Sequence, residues 1–179
     1  MRRLCLLFLL IGTYCYAGER KYTVDSPDGK IQLAIIQTDA GELTYQLSVK
    51  RKQVIDASAL GFKTEDGLTF PFRGWKMGKV TRNKVNSVWK PLWGKRAVVP
   101  DKYNEMKLSF VNEAKSSDAL EVVARAYNEG VAFRYVSPQD AGSALELTTF
   151  NFAGDYTAWF YNGERHNIGP ERLTETDGE

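Results

Sequence analysis

The stretch from Leu120 to Val136 constrains the fold most, because apolar and polar side chains alternate along two short runs that a turn sequence separates. Alternation with a period of two is typical of a half-buried β-strand, and Asn-Glu-Gly at 128–130 predicts a tight loop between two antiparallel strands. Gly130 is expected to take the left-handed conformation of a three-residue loop, where a side chain would clash. The stretch therefore predicts a β-hairpin.

The same period of two recurs along most of the chain, and no window of a dozen residues keeps a helical apolar stripe. Further candidate strands begin near Tyr22, Ile31, Leu43, Val54, Val80, Met106 and Leu145. Short strands at intervals of roughly 8–12 residues indicate a β-sandwich or a β-barrel. The cluster Lys50–Lys52 is predicted to be a solvated turn, and residues 161–179, which carry few apolar side chains, a long loop without a strand.

The first 17 residues differ in character from the rest. Arg2 and Arg3 precede an apolar run from Leu4 to Ile11, and Ala17 ends a small-residue exit. This pattern predicts a secretory signal peptide, since the apolar run is far shorter than the roughly 20 residues that a membrane-spanning helix needs. We expect cleavage after Ala17, a periplasmic or secreted location, and no membrane attachment after cleavage.

The charge and cysteine content exclude some classes of partner and bond. Both cysteines, Cys5 and Cys15, lie in the predicted signal peptide, so no disulfide is expected in the exported chain. Removing Arg2 and Arg3 from the 24 basic residues leaves 22, which the 22 acidic residues balance, because positions 1–17 contain no acid. A chain without excess positive charge is not expected to bind nucleic acid.

Most catalytic and metal-binding patterns are missing. The only histidine, His166, lies in the predicted loop near the end of the chain, which disfavours a nucleophilic triad and a zinc site. The sequence also has no calcium-binding EF-hand pattern and no glycine-rich phosphate loop. Glycoside hydrolysis needs two rigidly held carboxylates. The available acids, which are Glu164, Glu171, Glu175 and Asp177, crowd into the same loop and are better interpreted as a solvated acidic tail.

The four tryptophans leave two interpretations open. Their indole rings could stack on sugar rings, but large aromatic side chains more often lie in a core or an interface, which we favour. The tryptophans are Trp75, Trp89, Trp93 and Trp159.

Five stretches, taken together, carry a family resemblance. They are SPDGKI at Ser26–Ile31, WKPLWGKR at Trp89–Arg96, YNEM at Tyr103–Met106, YNEGVAFRY at Tyr127–Tyr135 and FNFAGDYTAW at Phe150–Trp159. In this order and spacing, the chain resembles the N-terminal domain of glycoside hydrolase family 97, a family of bacterial α-glucosidases and α-galactosidases. No single stretch is decisive, because each short motif occurs widely, but five in register are.

The resemblance implies an all-β fold, an antiparallel β-super-sandwich similar to the galactose mutarotase fold, here with its C-terminal part truncated. The implied organisation is a signal peptide at 1–17, the sandwich at 18–160, and a loop at 161–179 that leads into the missing remainder. In the family, a separate (β/α)₈ barrel carries the catalytic carboxylates and a calcium ion lies near the substrate. The calcium-ligating glutamate of the sandwich domain comes from a strand beyond the matched stretches, so no calcium is expected to bind this chain alone.

The resemblance also implies the function. We expect a non-catalytic domain that packs on the barrel in cis, completes its pocket for an α-linked oligosaccharide, and is inactive alone. The departure from the family pattern after Trp159 makes Trp159, Glu164 and His166 the candidate substrate contacts, although these residues could equally only support the loop. The alternative is an autonomous carbohydrate-binding module. A mutarotase-like epimerase is disfavoured, because the lone histidine lies in a loop. An exposed apolar patch is expected where the barrel docks.

Overall fold

The computed structural model describes residues 19–65, 67, 69–71, 74–113, 119–137, 142–160 and 168–176. The predicted signal peptide lies outside these ranges. Within them the regular structure is β-strand apart from one 3-10 turn, Leu173–Glu175, so the all-β prediction is confirmed. None of the helical structure in the described ranges is long and apolar enough to cross a membrane.

Thirteen strands follow one another along the described ranges. They are β1 Arg20–Asp25, β2 Ile31–Gln37, β3 Leu43–Val49, β4 Lys52–Leu60, β5 Phe62–Thr64, β6 Thr69–Phe70, β7 Trp75–Trp89, β8 Val99–Asn112, β9 Ala119–Tyr127, β10 Val131–Val136, β11 Ala144–Glu146, β12 Thr157–Phe160 and β13 Ile168–Arg172.

Two four-stranded antiparallel sheets form the body of the fold. The first sheet has the order β1-β2-β3-β4, and the second sheet has the order β10-β9-β8-β7. Each is a meander in which consecutive strands are neighbours, as short turns between alternating runs require. The predicted hairpin is β9–β10, with Val131 opposite Ala126. Smaller sheets of order β11-β5-β6 and β12-β13 flank the two meanders.

The hydrophobic core lies between the first and second sheets, because alternate side chains of both meanders point at each other. Fully buried members include Leu33, Ile35 and Tyr45 from the first sheet and Met106, Leu108, Phe110, Val122 and Ala124 from the second. Burying a large apolar side chain contributes about 1.5–3 kcal/mol. The alternation read from the sequence is therefore the pattern that joins the two sheets into one sandwich.

An extended segment, residues 147–153, runs along the outer edge of β4 and is called the edge segment here. Its backbone pairs with β4 and Gly61 through hydrogen bonds of 2.7–3.1 Å, which are Leu147 N to Gly61 O, Thr149 N to Ala59 O, Asp56 N to Asn151 O and Ala153 N to Val54 O. The Tyr45 hydroxyl reaches across to donate to the Thr149 carbonyl at 2.9 Å. The edge segment thus covers an edge that would otherwise offer unpaired backbone groups.

The opposite edge of the first sheet is held by side chains of the second. The Arg82 guanidinium donates to the carbonyl of Thr23, and the Asn104 amide donates to the carbonyl of Asp25 at 2.7 Å. Both acceptors belong to β1. These bonds satisfy edge carbonyls and fix how β1 sits over β7 and β8.

The prediction of a left-handed Gly130 is wrong. Gly130 has no positive φ, and the Tyr127 N–H donates to the Gly130 carbonyl at 2.8 Å. The loop therefore has two residues, Asn128 and Glu129, and Gly130 already occupies a paired position. Left-handed conformations occur instead at Lys50 (φ 50°) and Arg51 (φ 67°), within the exposed turn that the sequence predicts.

The predicted absence of a strand after Phe160 is wrong for Ile168–Arg172, which is β13 and pairs with β12. The sequence Ile-Gly-Pro-Glu-Arg hides the strand, because glycine and proline weaken strand signals and are tolerated only at sheet edges and bulges. Residues 161–167 and 177–179 lie outside the described ranges.

Candidate functional site

The structure places one of the three predicted substrate contacts. Trp159 lies in β12, and its side chain is 68% exposed. Glu164 and His166 lie outside the described residues. The indole of Trp159 is therefore available to a ligand or a partner, while the other two contacts stay predictions.

Gly169 explains how β13 approaches Trp159 so closely. Gly169 has φ of 128°, and a Cβ added there would lie 2.6 Å from the Ala158 carbonyl oxygen and 3.0 Å from both Cα and Cδ1 of Trp159. A residue with a side chain cannot occupy this position without moving the backbone of β12. Gly169 thus sets the position of the Trp159 backbone and ring.

An ion pair fastens the β12–β13 ribbon just before Trp159. The Arg172 guanidinium donates to the Asp155 carboxylate, which also accepts the Thr174 N–H at 3.1 Å. The hydrogen bond from Arg172 holds the pKa of Asp155 below its usual range, and the carboxylate in turn raises the pKa of Arg172. Both charges are thus committed to the ribbon and are not free to act as an acid and a base.

The acidic residues of the predicted tail divide between strand, turn and undescribed chain. Glu171 lies half-buried in β13, Glu175 is exposed in the 3-10 turn, and Glu164 and Asp177 lie outside the described residues. Among the residues that the structure describes, no three His, Cys, Asp or Glu side chains come together as a metal site.

A partly buried ion pair lies on the outer face of the second sheet, and the sequence gives no direct sign of it. Glu105 is 7% exposed and accepts a hydrogen bond from Arg125 Nε at 2.8 Å. The Arg125 guanidinium lies 4.3 Å from the centre of the Tyr103 ring, which packs 5.0 Å from the ring of Tyr127. The bond to Glu105 raises the pKa of Arg125. A carboxylate saturated by arginine supports the sheet and does not act as a general acid or base.

The tryptophans divide between the core and exposed positions. Trp75 is buried against Phe70, with ring centres 5.1 Å apart, which confirms the core prediction for this residue. Trp89, Trp93 and Trp159 are exposed in the described chain, so a core position is wrong for these three. An interface role for them stays a prediction.

Trp89 and Trp93 lie on a projection that we call the arm, residues Lys84–Lys102. The arm consists of the ends of β7 and β8 and the loop between them. From Asn86 to Lys102 the two strands pair only with each other among the described strands, since β9 pairs with β8 from Tyr103 onward. An open cleft of about 640 Å³ lies at its base, lined by β1 residues and by Arg82, Lys84 and Asn104. The cleft walls mix polar and apolar groups, and the polar groups could hydrogen-bond a hydroxylated ligand.

Comparisons with known proteins agree on one family. The family model described as Glycosyl-hydrolase 97 N-terminal matches residues 24–178. The chain is 29% identical over 166 residues to a probable retaining α-galactosidase of Streptomyces bingchenggensis, covering 89% of this chain and 26% of that protein. It is 22% identical over 189 residues to the retaining α-galactosidase of Bacteroides thetaiotaomicron, covering 94% of this chain and 27% of that protein.

The fold comparison points the same way. A glycoside hydrolase family 97 enzyme of Pseudoalteromonas sp. strain K8, solved in complex with panose, superposes with a TM-score of 0.68 at 34% identity. The superposition covers 78% of this chain and 22% of that enzyme. The chain thus spans about a quarter of the length of the relatives it matches.

Proposed function

Because the chain belongs to the glycosyl-hydrolase 97 N-terminal family, we propose that it is the non-catalytic sandwich domain of an exported α-glycoside hydrolase. In this proposal the domain packs on a (β/α)₈ catalytic barrel outside these 179 residues and completes one side of its pocket. The observation that carries the proposal is the family match over residues 24–178 combined with coverage of only 26% and 27% of the curated relatives.

The ion pairs of the described residues favour a structural, non-catalytic role for this domain. The buried carboxylate Glu105 is neutralised by Arg125, and the Asp155 carboxylate is held by Arg172. A glycosidase needs one carboxyl free to donate a proton and another free to act as base or nucleophile. Neither of these two carboxylates is free in that way.

The substrate class follows from the relatives. Two are named retaining α-galactosidases, and the Pseudoalteromonas enzyme binds panose. We assign an α-linked galactoside or glucoside to the whole enzyme, with Trp159, Glu164 and His166 at the rim of its pocket. Calcium would be held by residues of the longer polypeptide, and the signal peptide would deliver the protein to the periplasm or the medium.

The test is hydrolysis of aryl α-galactosides and aryl α-glucosides by the purified chain. We expect no release of the aryl group above the buffer rate, because the proposal assigns the acid and the nucleophile or base to the barrel. Release that scales with the concentration of the purified chain would overturn the proposal.

A second candidate function rests on the exposed indole of Trp159, which is 68% exposed, and on Trp93, which is 87% exposed. Exposed tryptophans can stack on sugar rings, so the domain could bind glycans by itself. Titration calorimetry with soluble α-glucans separates the two functions. Saturable binding that Trp159→Ala or Trp93→Ala abolishes would favour the module, whereas no heat of binding favours the supporting domain.

A further inference from the structure

The arm, like the β12–β13 ribbon, is a two-stranded part of the described fold over most of its length. Tyr103 of β8 has partners on both sides, Val85 on β7 and Tyr127 on β9. From Lys102 to the tip, β8 has β7 as its sole partner among the described strands. A two-stranded ribbon of this kind is marginally stable in water unless something packs on it.

The tip of the arm is apolar although it projects into solvent. Leu92 is fully exposed and Trp93 is 87% exposed, and the neighbouring apolar side chains Val88, Trp89 and Val98 are also exposed. A contiguous exposed apolar patch with an aromatic residue at its centre is typical of a protein docking surface. The arm is therefore one place in the described fold that fits the predicted apolar patch.

The charge of the arm indicates the kind of partner surface that can pack on it. Within the arm five side chains are basic, namely Lys84, Lys90, Lys95, Arg96 and Lys102, and only Asp101 is acidic. Two copies of so basic a surface would repel each other, which disfavours self-association through the tip. The complementary partner is an acidic surface with an apolar recess.

The active-site side of a glycosidase combines acidic groups with an apolar recess. Glycoside hydrolysis requires two carboxylates at the bond that breaks, and aromatic side chains commonly line such sites. The arm lies inside the family match at 24–178, while 78% of the Pseudoalteromonas enzyme lies outside the superposition. The family's longer proteins thus contain the polypeptide that could supply such a surface.

We infer that the arm is the element that docks this domain onto the acidic rim of the catalytic barrel, with Leu92 and Trp93 in an apolar recess and Lys95 and Arg96 facing carboxylates. This inference rests on the proposed function and adds the docking element to it. The sheet faces of the sandwich then position the arm and are not themselves the main contact.

The experiment measures binding of this chain to the Pseudoalteromonas enzyme without the superposed part, once circular dichroism and a cooperative thermal transition have shown that the shortened enzyme is folded. The apolar variant is Leu92→Ser with Trp93→Ser, and the charge variant is Lys95→Glu with Arg96→Glu. The matched controls are Leu145→Ser, an exposed leucine on β11, and Lys21→Glu with Lys63→Glu, exposed lysines away from the arm. Circular dichroism and thermal unfolding verify that each variant is folded.

We expect the apolar variant to weaken binding by about 30-fold or more, as truncation of central aromatic anchors does. The charge variant should slow association by roughly tenfold at low salt and by less at high salt. The controls should bind as the unchanged chain does. A benzophenone photocrosslinker at position 92 should attach to peptides of the barrel rim.

Three results would contradict these statements, and each contradicts a different one. Binding by the unchanged chain that the arm variants do not alter would overturn the arm and leave the proposed function intact. No binding by the unchanged chain would overturn the packing on the barrel itself. Self-association or binding to α-glucan that is lost in the apolar variant, without binding to the barrel, would assign the arm to another occupant.

Discussion

Gly61 is a residue whose identity the packing dictates. A Cβ added there would lie 2.5 Å from the Phe70 carbonyl oxygen and 3.1 Å from Pro71 Cδ. We expect Gly61→Ala to lower the free energy of unfolding by about 1–3 kcal/mol, because the obstructing atom belongs to the backbone and cannot swing away. Urea unfolding followed by fluorescence measures the change.

Gly130 is the matched control for Gly61. It has no positive φ, and a Cβ there would meet no atom within 4 Å. Gly130→Ala should therefore leave stability nearly unchanged or raise it slightly. Equal losses for the two substitutions would contradict the packing explanation at Gly61.

Tyr135 is expected to make stability depend on pH above 10. Burial among aromatic rings, including Phe62 at 5.1 Å, raises the pKa of Tyr135 to about 12, above its ordinary value of 10.0. The stability from its neutral hydroxyl is fully present below pH 10 and is lost as pH rises through 12. Relative to Tyr135→Phe, the unchanged chain should lose about 1–2 kcal/mol between these limits, after allowance for solvent screening.

Urea unfolding of both proteins at intervals from pH 8 to pH 12 measures this difference. The two stabilities should run parallel below pH 10, where the hydroxyl is neutral in both the folded and the unfolded chain. Parallel curves up to pH 12 would show that the hydroxyl is as well solvated in the fold as in the unfolded chain.

The Glu105–Arg125 ion pair is a contact that the sequence does not predict. Arg125 lies between buried Ala124 and Ala126 on β9, so the alternation of the strand turns its side chain away from the core. Its partner could not be found from either strand alone, because Glu105 meets Arg125 only through the register of β8 against β9. The prediction of a left-handed Gly130 was wrong for a related reason. A loop length that differs by one residue changes the conformation that the glycine must take.

At the scale of elements, the turn between β3 and β4 carries avoidable strain. Lys50 and Arg51 both have positive φ, at 50° and 67°, which non-glycine residues adopt at a cost. Asn-Gly is the preferred sequence for such a two-residue turn. We expect Lys50→Asn with Arg51→Gly to raise the free energy of unfolding by about 1 kcal/mol, measured as a higher urea midpoint at unchanged slope.

The control for this turn is Glu129→Gly in the β9–β10 loop, which also has two residues. Asn128 and Glu129 have no positive φ, so glycine gains nothing there and adds flexibility to the unfolded chain. Stabilisation of both loops to the same extent would argue against strain at Lys50 and Arg51.

The strands that the sequence predicts are those with sustained alternation, such as β3 and β9, where one face is buried and the other is not. The short strands β5 and β6 and the ribbon β12–β13 gave no usable pattern. With two to five residues each, they are too short for a period to be counted, and glycine and proline interrupt β13. Their pairing depends on contacts with distant parts of the chain, which a local pattern does not contain.

At the scale of the whole molecule, the core predicts a single cooperative transition. Phe110 is buried between the sheets and packs against Phe70, with ring centres 5.4 Å apart. Phe110→Ala should cost about 3–5 kcal/mol, and Phe110→Leu should cost less, because leucine refills part of the cavity. Far-ultraviolet circular dichroism and tryptophan fluorescence should give the same unfolding midpoint for each protein. Separate midpoints would mean that the two sheets unfold independently.

The family could be predicted from the whole chain but not from a local site. Five short stretches in order identified the family. No cluster of residues in the sequence indicated a particular reaction. Of the predicted contacts, the structure places Trp159 but not Glu164 or His166. The exposed arm was expected only as a patch of unknown location, because exposure depends on which strands lack a neighbour.

The edge segment 147–153 also has a consequence for the order of folding. Its bonds join residues 86 to 104 positions apart, whereas each meander forms from neighbouring hairpins. Closing so long a loop costs chain entropy before any contact compensates it, so the hairpins can form first and the edge segment last. Until it closes, β4 presents open backbone groups to other chains, so aggregation competes with folding at this strand.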